Sequence, residues 1–291
     1  MKKLNIFDIE SYDVNIPLMI YGNKPVDGGN LILSVEERDE LIKKCPQAEK
    51  YIRPFMGAED FLHNKKRYCL WLVDCPPNEL KKMSPVYERV KKVRDFRLKS
   101  KKIPTQKAAE TPTLFTEIRQ PDQDYIIVPC VSSELREYIP IGWVDKNVIC
   151  SDANFMIPDA VIYDFGILNS KIHMAWTKAF CGRLESRLRY SNTLVYNNFV
   201  WMAPDFDAML KIVAAACEIL SVRKKYPDAS LADLYDPIAM PKDLRAAHKK
   251  NDRAVMDLYG FDYDITDDEI VAALVERHIF VENYLKENGL G

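Results

Sequence analysis

The sequence is poor in the residues that active-site chemistry most often needs. Its four histidines, His63, His173, His248 and His278, are far apart, and none lies in an HExxH arrangement that would turn two of them onto one helix face for zinc. Ten glycines never gather into a loop that could cradle a phosphate or a cofactor; Phe165-Gly166 stands alone between strand-like residues. The seven cysteines, Cys45, Cys69, Cys75, Cys130, Cys150, Cys181 and Cys217, occur singly, with no CxxC pair, which argues against a disulfide framework or a zinc site and suits reduced, buried thiols. No GxSxG elbow surrounds Ser132-Ser133 or Ser191, so nucleophilic catalysis has no foothold. No stretch stays apolar long enough to span a bilayer, and Asp8 and Glu10 interrupt the place where a signal peptide needs an apolar run. A cytoplasmic protein with no membrane partner is expected.

What is present is an ordinary folding composition, 47% hydrophobic, 29% charged and 11% aromatic, long enough for one large domain or two smaller ones. The net charge of -2 argues against a uniformly basic nucleic-acid binder, but the sum hides the distribution. Between Lys81 and Lys102 the only acids among many Lys and Arg residues are Glu88 and Asp95, whereas Phe261 to Gly291 is acidic, with Arg277 and Lys286 its only bases. The first region can face phosphate and the second cannot easily do so.

Residues 1–30 hold Pro17, Gly22, Pro25, Gly28 and Gly29 without periodicity and read as an extended lead-in or linker. Ser34-Val-Glu-Glu37 is a capping box that opens a helix to about Cys45. Runs rich in β-branched and aromatic residues predict strands at 67–73, 125–131, 138–143 and 160–168. A helix over about 76–98 would bury Leu80, Met83, Val86, Val90, Val93 and Leu98 and leave its bases outside, and another would cover about 170–182. Beyond Trp201 strand signals stop, and helical spacing from Met209 to Leu220 is followed by helix starts at Ser230, Pro241 and Thr266. The fold class is therefore α+β: a mixed α/β domain over 31–202 and an all-α domain over 203–291.

Individual motifs are weak. Tyr196-Asn-Asn-Phe199 is faintly like the Asn-Pro-Pro-Tyr loop of adenine methyltransferases, but without the prolines that stiffen it. Glu79-Leu-Lys81 with Asp60 or Asp74 is the nearest approach to a nuclease carboxylate cluster, but such a triplet is common by chance and a solvated helix face is the better account. His173, between Ile172 and Met174, reads as a packed core histidine with one hydrogen-bond partner. In Gly182-Arg-Leu-Glu-Ser-Arg-Leu-Arg-Tyr190 the side chains of Glu185, Arg187 and Arg189 alternate with Ser186 and Leu188, so an extended strand would send all three to one face. Arg can donate two bonds to the O6 and N7 edge of guanine and Glu can accept from the cytosine amine, which equips such a row to read base pairs. On pattern alone an exposed strand with an ion-pair ladder is the better account, because short charge alternations are common. The Lys81–Lys102 run is open in the same way, between a solvated helix and a track for phosphates.

Several ordered stretches settle the context. Gly22-Asn-Lys-Pro-Val-Asp-Gly-Gly-Asn30, Arg67-Tyr-Cys-Leu-Trp-Leu72, Arg94-Asp-Phe-Arg-Leu98, Tyr138-Ile-Pro-Ile-Gly142, Phe165-Gly-Ile-Leu168, His173-Met-Ala-Trp176, Cys181-Gly-Arg-Leu184, Tyr196-Asn-Asn-Phe199 and Ser230-Leu-Ala-Asp-Leu-Tyr-Asp236 together resemble the MmeI-like restriction-modification enzymes. In that family one polypeptide joins a nuclease, a helical spacer, an S-adenosylmethionine-dependent adenine-N6 methyltransferase, a target-recognition domain and a helical C-terminal domain. The resemblance covers only the last two. It implies that catalysis, S-adenosylmethionine and Mg²⁺ belong to a parent protein upstream of Met1, with no catalytic residue, cofactor or metal in this chain. It also implies double-stranded DNA and the upstream methyltransferase domain as partners. By family position Glu185 and Arg187 would address the two bases of one pair, and Arg189 a purine, with Ala153 as its small partner position. Arg94, Arg97, Lys99, Lys101 and Lys102 would contact phosphates. The competing expectation is a docking or oligomerisation module of the same enzyme that reads no bases.

Overall fold

Helix starts are the points at which sequence and structure meet most directly. In the computed structural model, which describes residues 16–287, Ser34 caps the helix Val35–Lys44: the Glu37 N–H donates to its hydroxyl at 3.2 Å and the Glu37 carboxylate accepts from the Ser34 N–H at 2.9 Å. The same reciprocal bonds join Ser230 to Asp233 ahead of Leu231–Leu234, and Thr266 to Glu269 ahead of Asp267–Glu287. Residues 1–15 of the expected lead-in lie outside the described residues. From Phe206 onward every described element is a helix, whereas strands and helices mix before it, so the fold is α+β.

Packing groups the chain into two units, one of Ile20–Tyr125 with Val144–Met156, the other of Ile126–Trp143 with the chain from Ile157 onward and the described residues before Ile20. In the first unit, strands Ile32–Leu33, Arg67–Leu70 and Ile52–Met56 pair antiparallel in that order, and Ile149–Cys150 adds in parallel at the edge. Leu33, Phe55 and Leu70 from this sheet close a core with Leu41, Val86, Val90 and Val93 from two helices.

The expected single helix over 76–98 is two: Pro77–Leu80, then Ser84–Leu98. Pro85 lacks the N–H that a continuous helix would need there, and it fits the first turn of a new one. The inward stripe of the second helix runs Val86, Val90, Val93 and then Arg97, not Leu98, which is 50% exposed. Helical geometry makes position 97 the natural continuation of that stripe.

The second unit corrects two strand expectations. Residues expected as a strand at 160–168 form the helix Ile162–Leu168, with the Asp164 carboxylate accepting from the Val161 N–H at 2.8 Å. Tyr163 through Leu168 are all buried, so the run faces the interior on every side and carries no helical stripe. Gly166 is needed for close packing, because a Cβ there would come within 2.6 Å of Ile212 on the helix Phe206–Arg223 and 3.1 Å of the Asn251 amide oxygen on Lys242–Tyr259. Of the strand expected at 138–143, only Gly142–Val144 forms. Tyr138 instead stacks on His248 at 4.1 Å and donates to Asp252 at 2.6 Å, and Pro140 has no N–H to give a sheet.

Candidate nucleic-acid interface

The charged row at 185–189 is folded back on itself. Gly182–Leu184 and Arg187–Arg189 pair antiparallel with Leu184 opposite Arg187, so Glu185 and Ser186 form a two-residue turn. The expectation of one extended strand is corrected here: Arg187 and Arg189 share a strand face, and Glu185 reaches that face from the turn. Glu185 has φ +57°, a left-handed backbone that a glycine or asparagine normally supplies at a hairpin turn. Holding it on a non-glycine residue costs on the order of 1 kcal/mol, which the flanking ladder must sustain. The Glu185 carboxylate accepts from Arg187 at 2.9 Å, and both side chains are well exposed.

Alternation along the strand explains why the charges face outward. Leu188 and Tyr190 are 1% and 3% exposed, while Arg187 and Arg189, which alternate with them, are exposed. Leu188 and Arg189 pair with Ser132 and Val131 of a third strand, and the Tyr190 N–H donates to the Cys130 carbonyl at 2.9 Å. Behind the sheet the Tyr190 hydroxyl lies 3.0 Å from Nε2 of His173, on the helix Lys171–Phe180, and Phe199 meets the same imidazole edge-on at 5.0 Å. Residues opposite one another in an antiparallel pair share a face, so Leu184 stands beside Arg187 on the outer side. The linear pattern carries no sign of Leu184, because only the hairpin register places it there.

His173 is the core histidine that its neighbours imply. Burial pushes its pKa down to about 3, a backbone hydrogen bond with Leu168 opposing the shift only in part. The folded value lies below the unfolded one, so no stability is lost above about pH 6.5; below it the unfolded chain takes up a proton that the folded chain refuses, and stability falls until about pH 3. His173→Gln, which keeps a polar partner for Tyr190 but does not titrate, should shrink the stability change between pH 7 and pH 5 by about 2 kcal/mol in urea titrations. Equal pH dependence in the two proteins would mean that His173 is protonated, or open to water, in the folded state.

Ala153 belongs to the first unit. It is exposed in the turn between Ser151 and Asn154, its N–H 3.3 Å from the Ser151 hydroxyl. The turn is held against the chain at Gly22, where a Cβ would sit 2.1 Å from the Ser151 carbonyl oxygen, so only glycine permits the approach.

Of the five bases expected at phosphates, Arg94, Lys99, Lys101 and Lys102 are exposed on or just after the helix Ser84–Leu98. Arg97 is not available and that expectation is corrected. It is fully buried, and its guanidinium donates to the carbonyls of Val26 (2.9 Å), Ala108 (2.9 Å), Thr111 (3.1 Å), Pro25 (2.9 Å) and Leu114 (2.7 Å). All five of its N–H donors are engaged, leaving none for a phosphate.

Of the acids considered for a nuclease, Asp60 and Glu79 serve the fold, and Asp74 is exposed. Asp60 is buried, accepting from the Gly57 N–H at 2.6 Å and from Arg67 Nε at 2.9 Å; Glu79 accepts from the Tyr51 hydroxyl at 2.7 Å and pairs with Lys50 at 2.5 Å. Lys50 and Tyr51 hold the Glu79 carboxyl below its usual range. Tyr196 and Phe199 are buried and contribute to packing, and Gly166 is locked inside a helix, so neither the base-flipping loop nor a cofactor loop is formed from these residues. Among the described residues no group of three His, Cys, Asp or Glu side chains is placed to hold a metal ion.

Known proteins share this architecture. The family description "MmeI, target recognition domain" matches residues 7–203, and "MmeI, C-terminal domain" matches residues 207–285. DNA methyltransferase A of Bacillus subtilis (strain 168) is 37% identical over 266 residues, which cover 91% of this chain and 30% of that protein. A solved structure of the Type IIL restriction-modification enzyme MmeI in complex with DNA superposes with a TM-score of 0.90 at 46% identity, over 92% of this chain and 36% of that one. The chain thus spans about a third of the length of these relatives.

Proposed function

The chain belongs to the MmeI family, and from that premise we propose that it reads double-stranded DNA sequence as the specificity part of a restriction-modification enzyme. The observation that carries this reading is the hairpin, which fixes Leu188 and Tyr190 inward and leaves Arg187, Arg189 and Glu185 projecting from one side. A two-stranded ribbon fits the major groove, where each base pair shows a distinct pattern of donors and acceptors. Glu185 accepts from one base of a pair while Arg187 donates to the other, Arg189 donates to a purine, and Ala153 tunes specificity by being small. Arg94, Lys99, Lys101 and Lys102 fix the register through phosphates.

In this reading the chain is a reader and not an enzyme. The S-adenosylmethionine-dependent adenine-N6 methyltransferase, and a Mg²⁺-dependent nuclease, belong to the remainder of a longer polypeptide. The domains over 31–202 and 203–291 dock beside that methyltransferase. The lengths of the relatives and the name of the Bacillus subtilis protein support this division of labour.

The test is selection from randomised duplexes at low salt, followed by sequencing of what binds. A short enriched motif is expected. Neutralising Arg94, Lys99, Lys101 or Lys102 should flatten the plot of log affinity against log salt by about 0.9 per phosphate no longer neutralised, without changing the motif. Binding without enrichment would leave a phosphate-contact module, and self-association with no DNA affinity would favour the docking alternative.

A further inference from the structure

Leu184 is the unexplained member of the outer face. It stands directly opposite Arg187, is 42% exposed, and is a large apolar side chain among charged ones. Leu188, on the other face of the same hairpin, shows where an apolar residue goes when its role is packing: it is 1% exposed. Leu184 has no such place, because the strand Gly182–Leu184 is the edge of its three-stranded sheet and all three of its residues are exposed.

In the major groove one group offers an apolar surface, the C5 methyl of a pyrimidine, present in thymine and absent from unmodified cytosine. We propose that Leu184 is a further specificity-determining residue, which packs on the C5 methyl of a pyrimidine next to the base pair read by Arg187. This rests on the base-reading role of the hairpin. Spacing favours a neighbour: paired strands lie about 4.8 Å apart, against about 3.4 Å between stacked base pairs, so a side chain beside Arg187 reaches about one step along the groove. Covering the methyl also removes water from the adjoining Arg187 contact, which sharpens its discrimination.

The test compares every pyrimidine in the selected motif and its flanks with and without its C5 methyl, using deoxyuridine in place of thymidine and 5-methyldeoxycytidine in place of deoxycytidine. One position should show about fourfold tighter binding with the methyl, the worth of one buried methyl group. Leu184→Ala should lose that difference while keeping the preference set through Arg187. Being exposed, the position tolerates the change, and an unchanged melting temperature checks this. If no position responds to its methyl, or if Leu184→Ala responds as the unaltered chain does, the proposal fails although base reading stands. A selection that enriches no motif would instead overturn the base reading on which it rests.

Discussion

Replacing Arg97 by alanine is expected to lower stability by about 3–5 kcal/mol, the scale expected when several buried carbonyls lose a donor at about 1–3 kcal/mol each. Five carbonyls, from Pro25 and Val26 on one side and Ala108, Thr111 and Leu114 on the other, converge on this guanidinium. The Ala108 and Thr111 carbonyls keep a backbone N–H, from Thr111 at 3.3 Å and Leu114 at 3.1 Å, whereas those of Pro25, Val26 and Leu114 lose the guanidinium donor, and an unsatisfied buried group costs about 1–3 kcal/mol before water re-enters. Arg97→Lys should recover only part, because an ammonium is a single point where five acceptors arrive from different directions. Arg94→Ala, on the exposed side of the same helix, is the control and should stay within about 0.5 kcal/mol. Urea titration of the three variants decides the matter. If Arg97→Ala were as stable as Arg94→Ala, the buried placement would be wrong and a surface role for Arg97 would be open again. In DNA binding, Arg97→Ala should reduce the folded fraction, whereas Arg94→Ala should change the salt dependence.

Combining Glu185→Lys with Arg187→Asp is expected to redirect recognition rather than abolish it. The two side chains form one ion pair at 2.9 Å, so the double exchange keeps a pair of opposite charges at the hairpin tip while donor and acceptor trade places. A C·G pair read by accepting from one base and donating to the other should become a preferred G·C pair. The change in preference should be about 1–3 kcal/mol, or roughly 5- to 150-fold. Total affinity should stay in the same range, since phosphate contacts supply much of it. Each single exchange should do worse than the double one, because it sets like charges side by side. Selection of random duplexes by each variant reports the outcome directly, and uniformly weaker binding with an unaltered motif would sink the assignment.

How much of the molecule is legible in the sequence depends on whether a signal is local. Capping boxes at Ser34, Ser230 and Thr266 need only four consecutive residues and are readable at sight. The helix Ile162–Leu168 is not, because every residue from Tyr163 to Leu168 is buried and a mostly apolar run of that length fits a strand as well. The charge of Arg97 points to the surface, although its position extends the stripe of Val86, Val90 and Val93. The hairpin is hidden because Leu-Glu-Ser-Arg contains no glycine or asparagine where the backbone turns left-handed. That strain is imposed by long-range pairing with the Val131–Ser132 strand, which no local window reveals. The candidate site is therefore legible in its residue types and not in its shape.

The two sides of the strand Arg187–Arg189 answer to different constraints. Inward, Leu188 is committed to the core and Tyr190, just after the strand, to the His173 imidazole; outward, Arg187 and Arg189 meet nothing that the fold depends on. Substitutions on the outer side should therefore be nearly silent for folding, which leaves that face free to change its chemistry. Drift on the inner side is filtered at once by misfolding, so the scaffold persists while its outer surface varies.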